Sequence, residues 1–147
     1  MGSTFYSLHY HVVFSTKERR PLIHAKWRPQ LHAYLGGTTR GLGGVPEAVG
    51  GMDDHVHLLI GLKTTTAIAD WVRELKKASS AWASEHHEPL FAWQDGYAAF
   101  TVSWTHVSDV RRYIDGQETH HAKTPFSNEL VQLLERNGVK YDPVYLH

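Results

Sequence analysis

The segment Asp54-His55-Val56-His57-Leu58-Leu59-Ile60 constrains the fold more than any other, because it has the period of a β-strand. Successive strand side chains point to opposite faces, so His55 and His57 share one face while Val56, Leu58 and Ile60 occupy the other. The apolar face has to be covered, and the imidazole pair is displayed where it can meet a third group. A second stretch, Phe5 to Lys17, sets Tyr6, Leu8, Tyr10, Val12 and Phe14 against Ser7, His9, His11, Val13 and Ser15, which predicts a long first strand.

Helical spacing appears between the strands. Ile23, Trp27, Leu31, Tyr34 and Leu35 predict a helix over 24–39 that Gly36-Gly37 ends. Ala48 to Gly51 predicts a short strand leading into the His-Val-His strand, with the glycines at a hairpin or bulge. Ile68, Trp71, Val72, Leu75, Ala78 and Trp82 predict a helix over 66–85 capped by Thr65 or Thr66. A loop over Glu88–Tyr97 and a strand over Ala99–Trp104 follow. Val107 to His121 predicts a third helix capped by Thr105 or Ser108, and Leu130, Leu133 and Leu134 a last one closed by Asn137-Gly138. The tail, Val139–His147, is expected to be extended and packed on the body. The order strand, helix, strand, strand, helix, strand, helix, helix predicts an α+β fold: a ferredoxin-like antiparallel sheet with helices packed on one face.

A chain of 147 residues with 41% hydrophobic content supports one core, hence a single domain over 1–147. Its apolar runs are too short to cross a bilayer, and the amino end has no basic or apolar leader. Zero cysteines exclude disulfides and thiolate chemistry, and the expectation is a cytoplasmic protein. Net charge is zero, yet residues 1–44 carry Lys17, Arg19, Arg20, Lys26, Arg28 and Arg40 against the single acid Glu18. That surplus of five fits a phosphate-binding face as well as it fits an ordinary solvated surface.

Tyr113 and Gln117 lie four apart, so on one helix the phenol and the amide share a face. Two imidazoles supply about half of a coordination sphere, and the neutral carbonyl of Gln117 suits a hard ion such as Mg²⁺ or Mn²⁺ that keeps positions open for phosphate oxygens. A phenol with a pKa near ~10 needs help to attack phosphorus; a cation polarising the phosphate and a proton acceptor, His120 or His121, supply it. Each residue also has a plain structural use. His-x-His pairs occur in ordinary strands, Tyr113 can pack with Val110 and Ile114, and His120-His121 can be a solvated helix end. Trp93 and Tyr97 can stack on unpaired bases or pack in the core.

Taken in order, four stretches carry a resemblance over nearly the whole chain. They are Tyr6-Ser7-Leu8-His9-Tyr10-His11-Val12-Val13-Phe14-Ser15-Thr16-Lys17, Asp54 to Leu59, Trp93-Gln94-Asp95-Gly96-Tyr97-Ala98-Ala99-Phe100-Thr101-Val102-Ser103, and Val110-Arg111-Arg112-Tyr113-Ile114-Asp115-Gly116-Gln117-Glu118-Thr119-His120-His121. The chain resembles the single-tyrosine transposases of the HUH superfamily (histidine, hydrophobic residue, histidine), and among them the REP-associated tyrosine transposases. The resemblance implies a metal-dependent single-stranded DNA endonuclease and strand transferase acting at hairpin-flanked ends through a 5′-phosphotyrosine. On it, Tyr113 matches the nucleophile, and His55, His57 and Gln117 match the metal ligands. It also implies hairpin DNA as partner, bound in part through Lys17, Arg19, Arg20, Lys26 and Arg28, and a homodimer joined at sheet edges, for which the long first strand offers an edge. Gly116 departs from expectation within a helix, and Ala98 stands where relatives often have glycine.

Two other functions fit the same residues. A domesticated hairpin-binding regulator that no longer cuts is suggested by the neutral net charge and Gly116. A replication-initiator nickase shares the histidine pair, but the short chain with one clear tyrosine and no helicase domain counts against it.

Overall fold

The computed structural model describes residues 2–121 and 124–146. Four strands form one antiparallel sheet: β1 (His9–Ser15), β2 (Val45–Gly51), β3 (His55–Gly61) and β4 (Ala98–Val102), in the order β2-β3-β1-β4. With α1 (Arg28–Gly41) after β1 and α2 (Ile68–His86) after β3, this is the expected ferredoxin-like arrangement. The even residues of β1 and β3, including Val12, Phe14, Val56, Leu58 and Ile60, pack beneath α1 and α2 with Leu31, Leu35, Trp71, Val72 and Leu75.

Helices also cover the second face, beyond the expectation of one. There α3 (Val107–Asp115), α4 (Gln117–His121) and α5 (Phe126–Arg136) pack against the odd residues. Val107 and Ile114 meet Ala48 and Leu59, while Phe126, Leu133 and Leu134 meet Val13 and Phe100. The physical reason lies in β1 and β3 themselves: Val13 and Leu59 make the histidine face partly apolar, and it too has to be removed from water.

Several boundaries differ from the sequence reading. Strand β1 begins at His9, and Phe5 is 91% exposed. It also pairs with both β3 and β4, so it is central and offers no dimer edge; the outer strands are β2 and β4. Helix α1 runs through Gly36-Gly37, because glycine costs only about 1 kcal/mol in a helix and does not end one by itself. The stop comes at Gly43, whose positive φ of 85° lets the chain turn into β2. Neither predicted threonine cap is used: Ala67 precedes α2 and His106 precedes α3, both without a side-chain cap bond. The predicted helix over 107–121 is broken at Gly116, although Gly116 N–H still donates to the Arg112 carbonyl at 3.1 Å and His120 N–H to that of Gly116 at 3.0 Å.

Gly50 seats the broken helix. A methyl group there would collide with the Ile114 carbonyl oxygen and lie 2.9 Å from its Cγ2, so only glycine lets α3 settle onto β2 beside His57. Gly50→Ala is expected to cost about 1–3 kcal/mol through this overpacking. A lowered urea midpoint at unchanged slope checks it.

Candidate metal centre and nucleophile

The register of the sheet builds the floor of the site. Ser15 lies opposite His55 and Val13 opposite His57, so His11, one step along β1, reaches His57 diagonally. Both histidines of the pair are fully buried. His55 Nδ1 sits 2.7 Å from Asp54 Oδ1, and His57 Nδ1 sits 2.8 Å from His11 Nε2. Helices α3, α4 and α5 form the roof. Gln117 Oε1 is 3.1 Å from His55 Nε2, and Glu129 Oε1 is 2.9 Å from His57 Nε2. The other carboxylate oxygen of Glu129 accepts from the Tyr113 hydroxyl and, at 2.9 Å, from Gln117 Nε2.

The structure therefore brings together Tyr113, His55, His57 and Gln117, and adds two residues that the sequence reading passed over as site members, Glu129 and His11. His120 Nε2 stands 3.5 Å from Glu129 Oε2, with its ring 5.6 Å from that of Tyr113. The side chain of His121, the other candidate for proton transfer, lies outside the described residues. Gln117 remains four residues from Tyr113 on one side despite the break, since both meet the same carboxylate.

The donor set fits a cation on chemical grounds. A carboxylate at Nδ1 of His55 takes an N–H from that atom, which leaves the lone pair of Nε2 facing the Gln117 carbonyl oxygen. If His57 likewise donates Nδ1–H to His11, its Nε2 lone pair faces Glu129. Lone pairs aimed at oxygens about 3 Å away repel unless a proton or a cation lies between them. Ligand atoms of His55, His57 and Glu129 all lie within 4.8 Å of one another, so this buried group can hold a metal ion.

The electrostatics set the starting protonation states. His11 is held down to about 3, first by burial and then by His57, so it is neutral at ordinary pH. Burial and then the Glu129 hydrogen bond push the Tyr113 phenol well above its usual range, so the hydroxyl keeps its proton. His32 is held down to about 4 by burial and by Arg28. An imidazole whose folded pKa is lowered contributes stability that is full above about 6.5 and lost as pH falls toward the folded value. The urea midpoint is thus expected to drop between pH 6.5 and 4, and to drop less in His32→Gln.

The basic residues divide. Lys17, Arg20 and Lys26 are exposed, and Arg19 is half-buried beside the site, its guanidinium 5.3 Å over the Phe126 ring that stacks on His55 at 4.2 Å. The turn carrying them is strained, with positive φ at Glu18 (56°) and Arg19 (53°). It is pinned by the Thr16 hydroxyl, which donates to the Arg20 carbonyl at 2.7 Å. Arg28 departs from the expectation for this cluster: it is buried, paired with Glu118 at 3.1 Å and bonded to the Ile23 carbonyl, and faces away from solvent. Trp93 is a core residue packed on Phe14 and Phe91, whereas Tyr97 is exposed. Among the described residues no helix is long and apolar enough to cross a membrane.

Comparison with known proteins gives the family. A curated relative, the ISDra2 transposase TnpA of Deinococcus radiodurans, is 30% identical over 121 residues, covering 76% of this chain and 85% of the relative. A crystal structure assigned as a transposase from Deinococcus radiodurans R1 matches with a TM-score of 0.66 at 27% identity, over 80% of this chain and 95% of that one. A REP-associated tyrosine transposase bound to a REP hairpin shares the fold, with a TM-score of 0.54 at 17% identity over 78% and 68% of the two chains. Residues 4–117, which run from before β1 through Tyr113 to Gln117, match the model of the family described as "Transposase IS200 like", and the chain belongs to that family.

Proposed function

We propose that the chain is a metal-dependent single-stranded DNA endonuclease and strand transferase that acts at hairpin-flanked ends, with Tyr113 as nucleophile. The observation that carries this reading is the shared carboxylate of Glu129, which puts the Tyr113 hydroxyl within one residue of the buried histidine pair. His55, His57, Gln117 and Glu129 would hold Mg²⁺ or Mn²⁺. When bound, such an ion polarises a phosphate oxygen and stabilises charge developing on it. The phenol oxygen attacks phosphorus as its proton passes to the neighbouring Glu129 or His120, the 5′ phosphoryl group becomes esterified to Tyr113, and the 3′ oxygen leaves with the bond pair and is protonated. Because the ester keeps the phosphodiester bond energy, a free 3′ hydroxyl can reverse the step and join a different strand. Lys17, Arg19, Arg20 and Lys26 hold the backbone in register, and Tyr97 offers a stacking surface for an unpaired base.

The family fits an assembly on DNA as a homodimer, with β2 and β4 as the available sheet edges. The test of the function is incubation of the protein with a labelled hairpin-bearing single strand and Mn²⁺, followed by denaturing electrophoresis. The expected products are the downstream fragment linked to the protein through its 5′ phosphate and the upstream fragment with a free 3′ hydroxyl. Salt-sensitive hairpin binding with no covalent product under any divalent metal would instead support the regulatory reading.

A further inference from the structure

Glu129 belongs to neither of the motifs that carry the histidines and the tyrosine, and it lies beyond the residues matched to the family. Its carboxylate nevertheless joins them. Oε1 faces His57 Nε2 at 2.9 Å and His55 Nε2 at 3.5 Å, while Oε2 takes the Tyr113 hydroxyl and the Gln117 amide. With 1% exposure this carboxylate would be costly without such partners. The helix it grips ends close by: Gly116 interrupts it three residues after Tyr113, whose ring packs at the margin of the Val107–Ile114 cluster and leaves its hydroxyl to the carboxylate.

We propose, on the reading of Tyr113 as nucleophile, that Glu129 positions it: Oε1 faces the cation site, and Oε2 holds the phenol in place whether or not an ion is bound. Its carboxylate clasps Tyr113 and Gln117 against His55 and His57. A phenol held at a fixed distance from the phosphate-binding position gains a large rate advantage over one that must find it, and a displacement of about 1 Å can cost about 100-fold.

The test uses the full chain labelled with 3-fluorotyrosine, the Tyr113 signal in the ¹⁹F spectrum being assigned by its loss in Tyr113→Phe. Glu129→Gln, which keeps the shape, and Glu129→Ala are each expected to shift that signal while the other tyrosine signals and the circular dichroism stay in place. In the adduct assay with Mn²⁺, kcat falls about 100-fold in Glu129→Ala with KM for the oligonucleotide within about threefold, and Glu129→Gln recovers part of the loss. A Tyr113 signal unmoved in both folded Glu129 variants overturns the proposal. The fluorine shift needs no activity, so it decides the clasp even if the wild-type chain forms no adduct.

Discussion

Tyr113→Phe is expected to form no covalent protein–DNA product and to cut at less than about one thousandth of the wild-type rate. The substitution keeps the ring, which makes edge contacts with His57 at 5.7 Å and His11 at 6.1 Å, so the packing beneath α3 survives. It removes only the hydroxyl. Glu129 Oε2 still receives the Gln117 amide, and the stability cost is therefore limited to about 1–2 kcal/mol for one lost hydrogen bond in a buried setting. Hairpin affinity, measured by fluorescence anisotropy without divalent metal, is expected to stay within about twofold, since the cations proposed to hold phosphate lie on the 17–26 segment. This separation of binding from chemistry makes the result informative: a variant that binds, folds and does not couple has lost its nucleophile. An adduct persisting at wild-type level in Tyr113→Phe would move the nucleophile to another residue.

The faces of β1 and β3 were readable because strand periodicity is local and the burial on both sides of the sheet follows it. Val12 and Phe14 turn one way, and Val13, His55 and His57 the other, as the alternation requires. What local pattern misreads is punctuation. Gly36-Gly37 looks like a stop, yet α1 continues because its next turn is held by packing and by the Thr39 hydroxyl on the Leu35 carbonyl at 2.8 Å. Charge counting likewise placed Arg28 with the phosphate-binding cations, although tertiary packing buries it against Glu118.

Glu129 was hidden for a different reason. Its hydrogen-bond partners come from β3, α3 and α4, at least 12 residues away in sequence, so no local spacing ties it to them. One signal was available: Phe126, Glu129, Leu130, Leu133 and Leu134 fall at the spacing of an apolar stripe, and an acid inside such a stripe is either paired or misplaced. His11 carries the same kind of signal, a polar ring beside Val13 on the face of a central strand that turned out to be covered. Both residues were visible as exceptions to a pattern whose second buried face had not been foreseen.

His57→Ala is expected to abolish cleavage and to weaken Mn²⁺ binding by at least about 100-fold, measured by isothermal titration calorimetry. The imidazole supplies one donor directly and orders two neighbours. Without it, Glu129 Oε1 loses its 2.9 Å partner and His11 Nε2 its 2.8 Å one. A buried carboxylate deprived of a partner is destabilising, so His57→Ala also lowers the urea midpoint. His57→Asn separates the two effects, because its amide can still meet Glu129 while offering a poorer metal donor. It is expected to regain much of the stability and little of the metal affinity. Hairpin binding in a chelator should change by less than about threefold in both variants, as ligands for the ion and contacts for the backbone are different side chains. Wild-type cleavage that continues undiminished in excess chelator, or Mn²⁺ affinity unchanged in His57→Asn, would remove the metal from the reaction and leave the buried histidine pair a purely structural feature of β3.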